Sequence, residues 1–346
     1  MKFDYVIGNP PYQEDTEGTS DKPVYDQFMN AAYEIADRVE LIHPARFLFN
    51  AGKTPKAWNA QMLSDSHFKV LGFNQESGAY FPGTRITGGI AITYRDATKE
   101  FGAIEVFSQF EAVRTLSDRM RQYVGASSLP DIMYLQNRLN LSELYSDYPE
   151  LRSVISSNGN ERRIVSSAFN KLPVFHSERN EDEEQISVFG LEGTGQKRTL
   201  KWVNSKYVED NGNLARYKIM VSKSNGGAGS LCDDPVRIIA EPFILEPGVG
   251  YTQSFIGIGS FETKSEADAA LKYLKTKFAR CLLGILKITQ DNPPDRWRFV
   301  PLQDFTPASD IDWSQPIPSI DQQLYRKYNL TDEEIAFIES HVKEMT

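Results

Sequence analysis

The stretch Phe3-Asp4-Tyr5-Val6-Ile7-Gly8-Asn9-Pro10-Pro11-Tyr12 decides the fold of the amino-terminal part of this chain. Its apolar residues, from Phe3 to Ile7, predict a short buried strand, and Gly8 permits a sharp turn where the chain leaves the sheet. The two prolines stiffen that turn and remove two amide donors, so the carbonyl groups there remain free to accept hydrogen bonds. The stretch therefore predicts a strand that ends in a rigid turn rich in acceptors.

The chemistry of this stretch lies in the four residues after Gly8. Asn9 adds a side-chain carbonyl beside the backbone acceptors, and Tyr12 adds a flat aromatic face. Together these groups suit a planar ring that carries an exocyclic amino group. The alternative interpretation is a strand that ends in a proline turn with a tyrosine facing solvent.

The tetrapeptide Asn9-Pro10-Pro11-Tyr12 resembles the catalytic motif Asp/Asn/Ser-Pro-Pro-Tyr/Phe of the DNA amino-methyltransferases, and Asn with Tyr points to the N6-adenine branch. Further segments resemble, in order, the second half of a methylase domain from type II restriction-modification proteins and then the specificity region of that group. These segments are Val24-Tyr25-Asp26-Gln27-Phe28, Ile42-His43-Pro44-Ala45-Arg46-Phe47, Phe81-Pro82-Gly83, Gly88-Gly89-Ile90-Ala91-Ile92, Thr276-Lys277-Phe278-Ala279-Arg280 and Phe299-Val300-Pro301-Leu302-Gln303-Asp304-Phe305.

The resemblance implies methyl transfer from S-adenosylmethionine to the N6 nitrogen of adenine in double-stranded DNA, with residues 9–12 as the catalytic motif. The Asn9 side-chain oxygen and the Pro10 carbonyl would accept the two N6–H hydrogen bonds and make that nitrogen a better nucleophile. The base must be flipped out of the duplex and held by stacking, for which Tyr12 supplies one face. Phe81 is expected at the other edge of this pocket; the alternative is a core phenylalanine before a turn.

The cofactor-binding half of such a domain is not recognisable upstream of Asn9, and its residues stay unassigned. The sequence Phe255-Ile256-Gly257-Ile258-Gly259 matches the expected glycine-rich turn. A ribose-binding acidic residue should end a second strand about 20 positions later, but a long helix through Leu286 is predicted there instead. These glycines are better explained by a strand that turns into a packed helix. We therefore expect a second subunit, or a segment of a longer parent chain, to carry the cofactor-binding half.

Alternating strand and helix patterns in residues 1–110 predict an α/β fold, a partial doubly wound Rossmann-like methyltransferase sheet. The pattern changes near Phe110, and residues 111–310 are predicted to form an α+β target-recognition domain, with residues 311–346 as a helical tail. Predicted strands include 38–42, 68–74, 88–94, 101–107, 199–203, 216–221, 236–239 and 254–259, and predicted helices include 25–37, 55–65 and 112–124. Thr331 and Glu334 form a capping box that opens the last helix.

Composition places the chain among soluble globular proteins, with two cysteines, four histidines without metal-ligand spacing and no apolar run that would span a bilayer. Thiols so far apart predict a reducing cytoplasmic location and no disulfide framework. The net charge of −9 is unusual for a protein that binds DNA, although basic residues cluster between positions 197 and 223. That cluster is interpreted either as a phosphate-contacting surface or as an ordinary solvated face.

Candidate DNA contacts lie in two loops. Arg46 and Lys53 flank the first, which is expected to open beside the pocket. In the second domain, Lys218 and the glycine-rich segment that contains Lys223, Ser224 and Asn225 are expected to approach DNA, since glycine permits close backbone contact. An unremarkable exposed surface and a glycine-rich hairpin are the respective alternatives.

Two functions from different classes explain these features. The first is the catalytic half and specificity region of an N6-adenine DNA methyltransferase. The second is a DNA-recognition subunit with a vestigial methylase fold and no turnover. A nuclease is disfavoured because no carboxylate-lysine constellation for metal binding stands out in the sequence.

Overall fold

A computed structural model describes residues 3–14, 22–83, 86, 88–104, 106–125, 127–155, 159–192, 197–225, 231–287 and 290–345. The chain forms two compact units, Met1–Arg114 and Thr115–Thr346. The boundary between them falls inside a helix, Glu111–Val124. Each unit has its own buried cluster of apolar side chains.

The first unit alternates short strands with helices. Its elements are β1 Val6–Gly8, β2 Gln13–Glu14, β3 Lys22–Pro23, α1 Tyr25–Ile35, β4 Arg38–Pro44, α2 Lys56–Ser64, β5 Phe68–Asn74 and β6 Ile90–Asp96. The helices predicted at 25–37 and 55–65 are confirmed with slightly shorter bounds. Residues 101–107 were expected to form a strand, and this is wrong for the residues described there: the segment is a loop whose Phe107 ring packs on Phe49 and Phe73 at 5.4 and 5.3 Å.

The first unit is built on a mixed sheet with strand order β1-β4-β6-β5. β1 runs parallel to β4, and β6 is antiparallel to both β4 and β5. β1, β4 and β5 therefore point in one direction, and their carboxyl ends lie at the same edge of the sheet. The α/β class predicted from the sequence is confirmed as a mixed α/β architecture.

Helices α1 and α2 cover one face of this sheet. Met29 of α1 and Trp58 and Met62 of α2 lie in one buried cluster with Val39 and Leu41 of β4. Val39 and Leu41 are two positions apart, so they share the face that the helices cover. Full burial of each such side chain contributes about 1.5–3 kcal/mol. This cluster fixes the strands to which the candidate site residues are attached.

The other face of β1 is open, and here the sequence prediction is wrong. Phe3, Tyr5 and Ile7, which were expected in a buried strand, are 49%, 41% and 72% exposed. Ile7 stands opposite Glu40 in the register, and the Tyr5 hydroxyl donates to Glu40 at 2.9 Å, so Tyr5 and Ile7 lie on the same side of the chain. A continuous apolar run is buried on both sides only where both faces of the sheet are covered.

The second unit mixes short strands with helices. Its elements are α3 Glu111–Val124, which contains the boundary, β7 Met133–Tyr134, β8 Arg138–Leu139, α4 Leu141–Asp147, α5 Ala168–Lys171, β9 Gln185–Glu192, β10 Lys197–Asn204, β11 Val208–Glu209, β12 Tyr217–Ser222, β13 Phe243–Leu245, β14 Val249–Tyr251, β15 Phe255–Phe261, α6 Lys264–Lys275, α7 Lys277–Leu286, α8 Ile317–Lys327 and α9 Asp332–His341. The strands predicted at 199–203, 216–221 and 254–259 are confirmed as β10, β12 and β15, with bounds that differ by one or two residues at each end.

Two predictions for the second unit need correction. Residues 236–239 do not form a strand: Val236 makes an isolated bridge to Val342, and Ile238 has a φ of 68°, which a regular strand does not allow. The single long helix predicted through Leu286 is two helices that meet at Thr276. The Thr276 hydroxyl accepts a hydrogen bond from the amide of Ala279 at 3.1 Å and so begins α7 with its own cap.

The capping box predicted for the last helix is present. The Thr331 hydroxyl accepts the Glu334 amide at 3.2 Å, and the Glu334 carboxylate accepts the Thr331 amide at 2.9 Å. Glu334 is 1% exposed and also pairs with Arg119 at 3.0 Å, which connects α9 to α3. The cap is therefore part of the core of the second unit.

We expect Thr331→Ala to lower the free energy of unfolding of the second unit by about 1 kcal/mol, because the first turn of α9 loses an acceptor for its amides. Urea denaturation followed by circular dichroism measures this change. Thr331→Ser is the matched control, since it keeps the hydroxyl. Equal stability of the alanine variant and the native chain would show that the cap contributes nothing.

Candidate functional site

Three segments leave the first sheet at the edge formed by the carboxyl ends of β1, β4 and β5. Asn9 follows β1, Arg46 lies two residues after β4, and the segment from Gln75 to Gly89 connects β5 to β6. In the register, Pro44 and Asn74 both face Ile90, so the segments after β4 and β5 leave the sheet at the same level, on either side of β6. Ligands of open α/β sheets bind outside the carboxyl ends of the strands. This edge is the candidate site.

The catalytic motif predicted from the sequence lies at this edge with its polar groups accessible. Asn9 and Pro11 are exposed, and Pro10 and Tyr12 are half-buried. The carbonyl of Tyr12 accepts the amide of Val24 at 3.2 Å, which ties the end of the motif to the start of α1. The strand, the prolines and this hydrogen bond hold the segment in one conformation.

The Tyr12 hydroxyl is buried in this segment. Burial raises the pKa of Tyr12, and the nearby Asn9 side chain opposes that rise. Within the described part of the chain, no partner forms a well-aligned hydrogen bond with the Tyr12 hydroxyl.

The segment after β5 is organised by Ser77, which is 4% exposed. The Ser77 hydroxyl accepts the amide of Ile86 at 2.8 Å, and the Ser77 carbonyl accepts the amide of Phe81 at 2.9 Å. Phe81 lies in the segment between β5 and β6 and is half-buried, so it is not enclosed in the core. Ser77 is a functional-site residue that the sequence does not reveal: it lies eleven residues before the adjacent glycines Gly88 and Gly89, and no distinctive local pattern marks it.

The loop after β4 carries both predicted cations, Arg46 and Lys53, and both are exposed. The Ala45 amide donates to the Gly89 carbonyl at 3.0 Å, so this loop is joined to the end of the Ser77 segment. Gly89 has a φ of 78°, and a Cβ there would lie 2.3 Å from the Asn74 carbonyl oxygen. A glycine is therefore required where the two loops meet.

His43 supports this edge from inside the core. The ring is 0% exposed and stacks on Tyr25 with an interplanar angle of 2°. Its Nδ1 lies 3.2 Å from the Pro44 carbonyl and its Nε2 lies 2.7 Å from the Thr93 hydroxyl. Because a carbonyl only accepts, Nδ1 carries the proton and Nε2 accepts from Thr93. Burial lowers the pKa of His43 to about 4.

The lowered pKa of His43 predicts acid sensitivity of the first unit. The unfolded chain binds a proton at this ring near pH 6.5, whereas the folded chain binds it near pH 4. Stability should therefore be complete above pH 6.5 and fall as the pH drops toward 4, by up to about 3 kcal/mol. His43→Phe should flatten this dependence in urea titrations at several pH values, and His176→Gln, at an exposed position, should leave it unchanged. A slope that persists in His43→Phe would assign the acid sensitivity to other groups.

Lys218, predicted to contact DNA, has a structural position instead. It is 0% exposed, and its ammonium donates to the carbonyls of Leu214, Arg216 and Glu246 at 3.1, 2.9 and 3.1 Å. Burial lowers its pKa to about 8. An ammonium has three donors, and all three are used here, so none remains for a phosphate. Lys218 is therefore not available for contact with DNA.

The other predicted contacts of the second unit divide into two kinds. Lys223 and Ser224 are exposed, as a DNA contact requires. Asn225 is half-buried; its amide group donates to the Ile238 carbonyl at 2.7 Å, and its oxygen accepts the Ala240 amide at 3.3 Å. Asn225 thus holds the loop in place. Residues 226–229 of the glycine-rich segment lie outside the described residues.

The glycine sequence at 255–259 does not form a cofactor turn. It lies within β15, which is antiparallel to β12 and β7. A Cβ at Gly257 would lie 2.4 Å from the Tyr251 hydroxyl, so that ring already fills the space beside the glycine. The residues there do not fit S-adenosylmethionine.

A cavity of about 320 Å³ in the second unit contains none of the predicted site residues among its lining side chains. In the described ranges, no three His, Cys, Asp or Glu residues are grouped to hold a metal ion. Within those same ranges, no helix has both the length and the apolar character needed to cross a membrane.

Comparison with known proteins gives a family match and a relative, and the descriptions of both name a methylase. Residues 1–78 match the model of the family described as Eco57I restriction-modification methylase. A protein of Mycoplasma pneumoniae (strain ATCC 29342 / M129 / Subtype 1), described as an uncharacterized adenine-specific methylase, is 28% identical over 95 residues. This match covers 26% of the present chain and 22% of that relative. The amino-terminal segment is thus similar to a restriction-modification methylase domain, and the matched family region includes Asn9, Tyr12 and Arg46.

Proposed function

We propose that this chain is the target-base half and specificity region of an adenine-specific DNA methyltransferase, which acts on N6 of adenine in restriction-modification. The observation that carries this proposal is the Asn9-Pro10-Pro11-Tyr12 segment, exposed at the carboxyl edge of β1 in a region that matches a methylase family. We interpret the sheet β1-β4-β6-β5 as the second half of a Rossmann-like sheet. The DNA surface of the second unit would include Lys223 and Ser224.

The proposed chemistry rests on hydrogen bonds to the amino group of the target base. The adenine N6 lone pair is delocalised into the ring, which makes this nitrogen a poor nucleophile. The two N6–H groups would donate hydrogen bonds to the Asn9 side-chain oxygen and the Pro10 carbonyl. These hydrogen bonds draw the nitrogen toward tetrahedral geometry and stabilise the positive charge that develops on it. Pro10 and Pro11 keep these acceptors in place, since their φ angles are fixed.

Tyr12 and Phe81 would hold the flipped base. Both are half-buried at the same edge, so each ring has an accessible part for contact with a planar ligand. Stacking of a base on an aromatic side chain contributes about 1–3 kcal/mol, which offsets part of the free energy of unstacking. S-adenosylmethionine is the methyl donor that this class of enzyme binds, and we propose it as the cofactor.

Asn9→Ala should reduce methyl transfer by about 10²- to 10³-fold while DNA binding changes little, because the lost contact is made most strongly in the transition state. The assay uses unmethylated genomic DNA, labelled S-adenosylmethionine and the chain assembled with its cofactor-binding segment. Asn9→Asp keeps one acceptor oxygen and should retain more activity than Asn9→Ala. Equal losses of binding and turnover would contradict the catalytic role.

A DNA-recognition subunit without turnover is the second candidate. It is favoured by one observation: the glycine sequence that best matches the cofactor turn lies inside β15 and is packed against Tyr251. In that case the chain would bind DNA, and Asn9→Ala would have no effect on any methylation by the assembled complex.

We also propose that a polypeptide carrying the cofactor-binding strands docks on the open face and edge of β1. Phe3, Tyr5 and Ile7 form an exposed apolar row on this face. Among the described residues, β1 pairs with β4 on one edge and with no strand on the other. Open edges and apolar patches of this kind favour association with another chain or segment.

The chain on its own should therefore show no measurable S-adenosylmethionine binding in calorimetry, and it should self-associate through the apolar row at high concentration. Ile7→Ser should reduce that self-association in sedimentation experiments, because it removes the most exposed apolar side chain of β1. Leu71→Ser is the matched control: Leu71 is 49% exposed but lies on β5, at the far end of the sheet. A monomer that binds the cofactor and methylates adenine unaided would contradict the proposed division.

A further inference from the structure

Arg46 occupies a defined position beside the catalytic motif. It lies two residues after β4, at the edge where Asn9 follows the parallel strand β1. Its side chain is exposed, and no described carboxylate forms an ion pair with it. In a chain with a net charge of −9, an exposed guanidinium without a carboxylate partner at the candidate site is notable.

Two glycines enclose the stem of Arg46. A Cβ at Gly88 would lie 2.4 Å from Cγ of Arg46 and 3.3 Å from its Cδ. A Cβ at Gly52 would lie 3.2 Å from Cβ of Arg46 and 3.6 Å from its Nε. Gly88 and Gly52 have φ angles of 90° and 86°, which favour glycine in their own right. The arginine stem thus runs between two backbone segments that approach it closely.

This enclosure makes Arg46 more than a solvated surface cation. A free arginine side chain loses rotamer entropy when it binds an anion in one geometry. Contacts along Cβ, Cγ and Cδ restrict the stem before any ligand arrives, so less of that entropy remains to be lost. The fork of guanidinium donors matches the oxygen atoms of a phosphate.

We propose that Arg46, held between Gly52 and Gly88, binds a phosphate of the DNA strand next to the nucleotide whose base meets Asn9. This inference rests on the proposed function and names the part of the substrate that the β4 loop contacts. The phosphate contact fixes the register of the strand at the pocket and carries no sequence information.

The test is binding of the 346-residue chain, without cofactor, to a short fluorescein-labelled DNA duplex of random sequence at several salt concentrations. Arg46→Ala should weaken binding roughly tenfold. The slope of log affinity against log salt concentration should become shallower by the amount that corresponds to about one phosphate contact. Arg46→Lys should keep the salt dependence but lose part of the affinity, because an ammonium cannot form the paired hydrogen bonds. Unchanged affinity and salt slope in Arg46→Ala would overturn the inference.

Two glycine variants distinguish loss of the contacts around the Arg46 stem from general damage to the loop. Gly88→Ala and Gly83→Ala introduce the same methyl group at similar φ angles, 90° and 83°, in the same loop. Of these two positions, only Gly88 places the new methyl against Arg46; at Gly83 the described residues beyond its chain neighbours have no heavy atom within 4 Å of it. We expect Gly88→Ala to weaken DNA binding in the manner of Arg46→Ala and Gly83→Ala to bind as the native chain does. Equal losses in both variants would overturn the role of the enclosure.

Failure of this inference and failure of the proposed function give different results. If methyl transfer depends on Asn9 but Arg46→Ala leaves both duplex affinity and KM for DNA unchanged, only the Arg46 contact is refuted. If Arg46→Ala weakens duplex binding but no assembly of the native chain methylates adenine, the phosphate contact stands and the enzymatic proposal fails. If both the Arg46 phosphate contact and the proposed methyltransferase function are correct, Arg46→Ala should raise KM for DNA more than it lowers kcat.

Discussion

The parallel pairing of β1 with β4 is the interaction on which the candidate site depends. Three residue pairs, Val6 with Val39, Ile7 with Glu40 and Gly8 with Leu41, are enough to place Asn9 at the edge where the β4 loop begins. The pairing is extended by the amide of Phe3, which donates to the Ile35 carbonyl at 2.7 Å. A shift of one residue would exchange Val6, which packs on the core, with the exposed Ile7. Burial of Val6 therefore sets the register that positions the motif.

The loops at this edge are held by buried polar groups and by glycines with positive φ. Ser77 and His43 satisfy backbone and hydroxyl groups beneath the surface, while Gly88 and Gly89 let the last turn before β6 approach the β4 loop. Such a scaffold keeps the exposed groups of the motif in fixed positions, as a site that acts by orientation and hydrogen bonding requires. The exposed residues of the candidate site thus stand at the ends of segments whose other atoms are tied to the sheet.

In the second unit, the role of each cation depends on its position in the fold more than on the number of basic residues nearby in the sequence. Lys218 is enclosed by carbonyl groups, Lys201 is 9% exposed and pairs with Glu192 at 2.8 Å, and Lys206 pairs with Asp147 at 2.6 Å. These cations stabilise loops and strands, so the basic cluster seen between positions 197 and 223 is not a uniform phosphate-binding strip. Exposed Lys223 remains suited to a DNA contact. The acidic net charge is therefore compatible with a small, localised DNA surface.

The sequence by itself determined the features that follow local rules of strand, helix and cap formation. Strand and helix periodicity located β4, β5, β6, α1 and α2, the Thr331 capping box marked the start of α9, and the Asn9 tetrapeptide indicated the chemistry. Each depends on residues close together in the chain. Tertiary structure alone decided burial and proximity: which face of β1 is covered, that Lys218 is enclosed, and that Gly52 and Gly88 flank Arg46. Those properties depend on contacts between residues distant in sequence, and no local pattern encodes which segments meet.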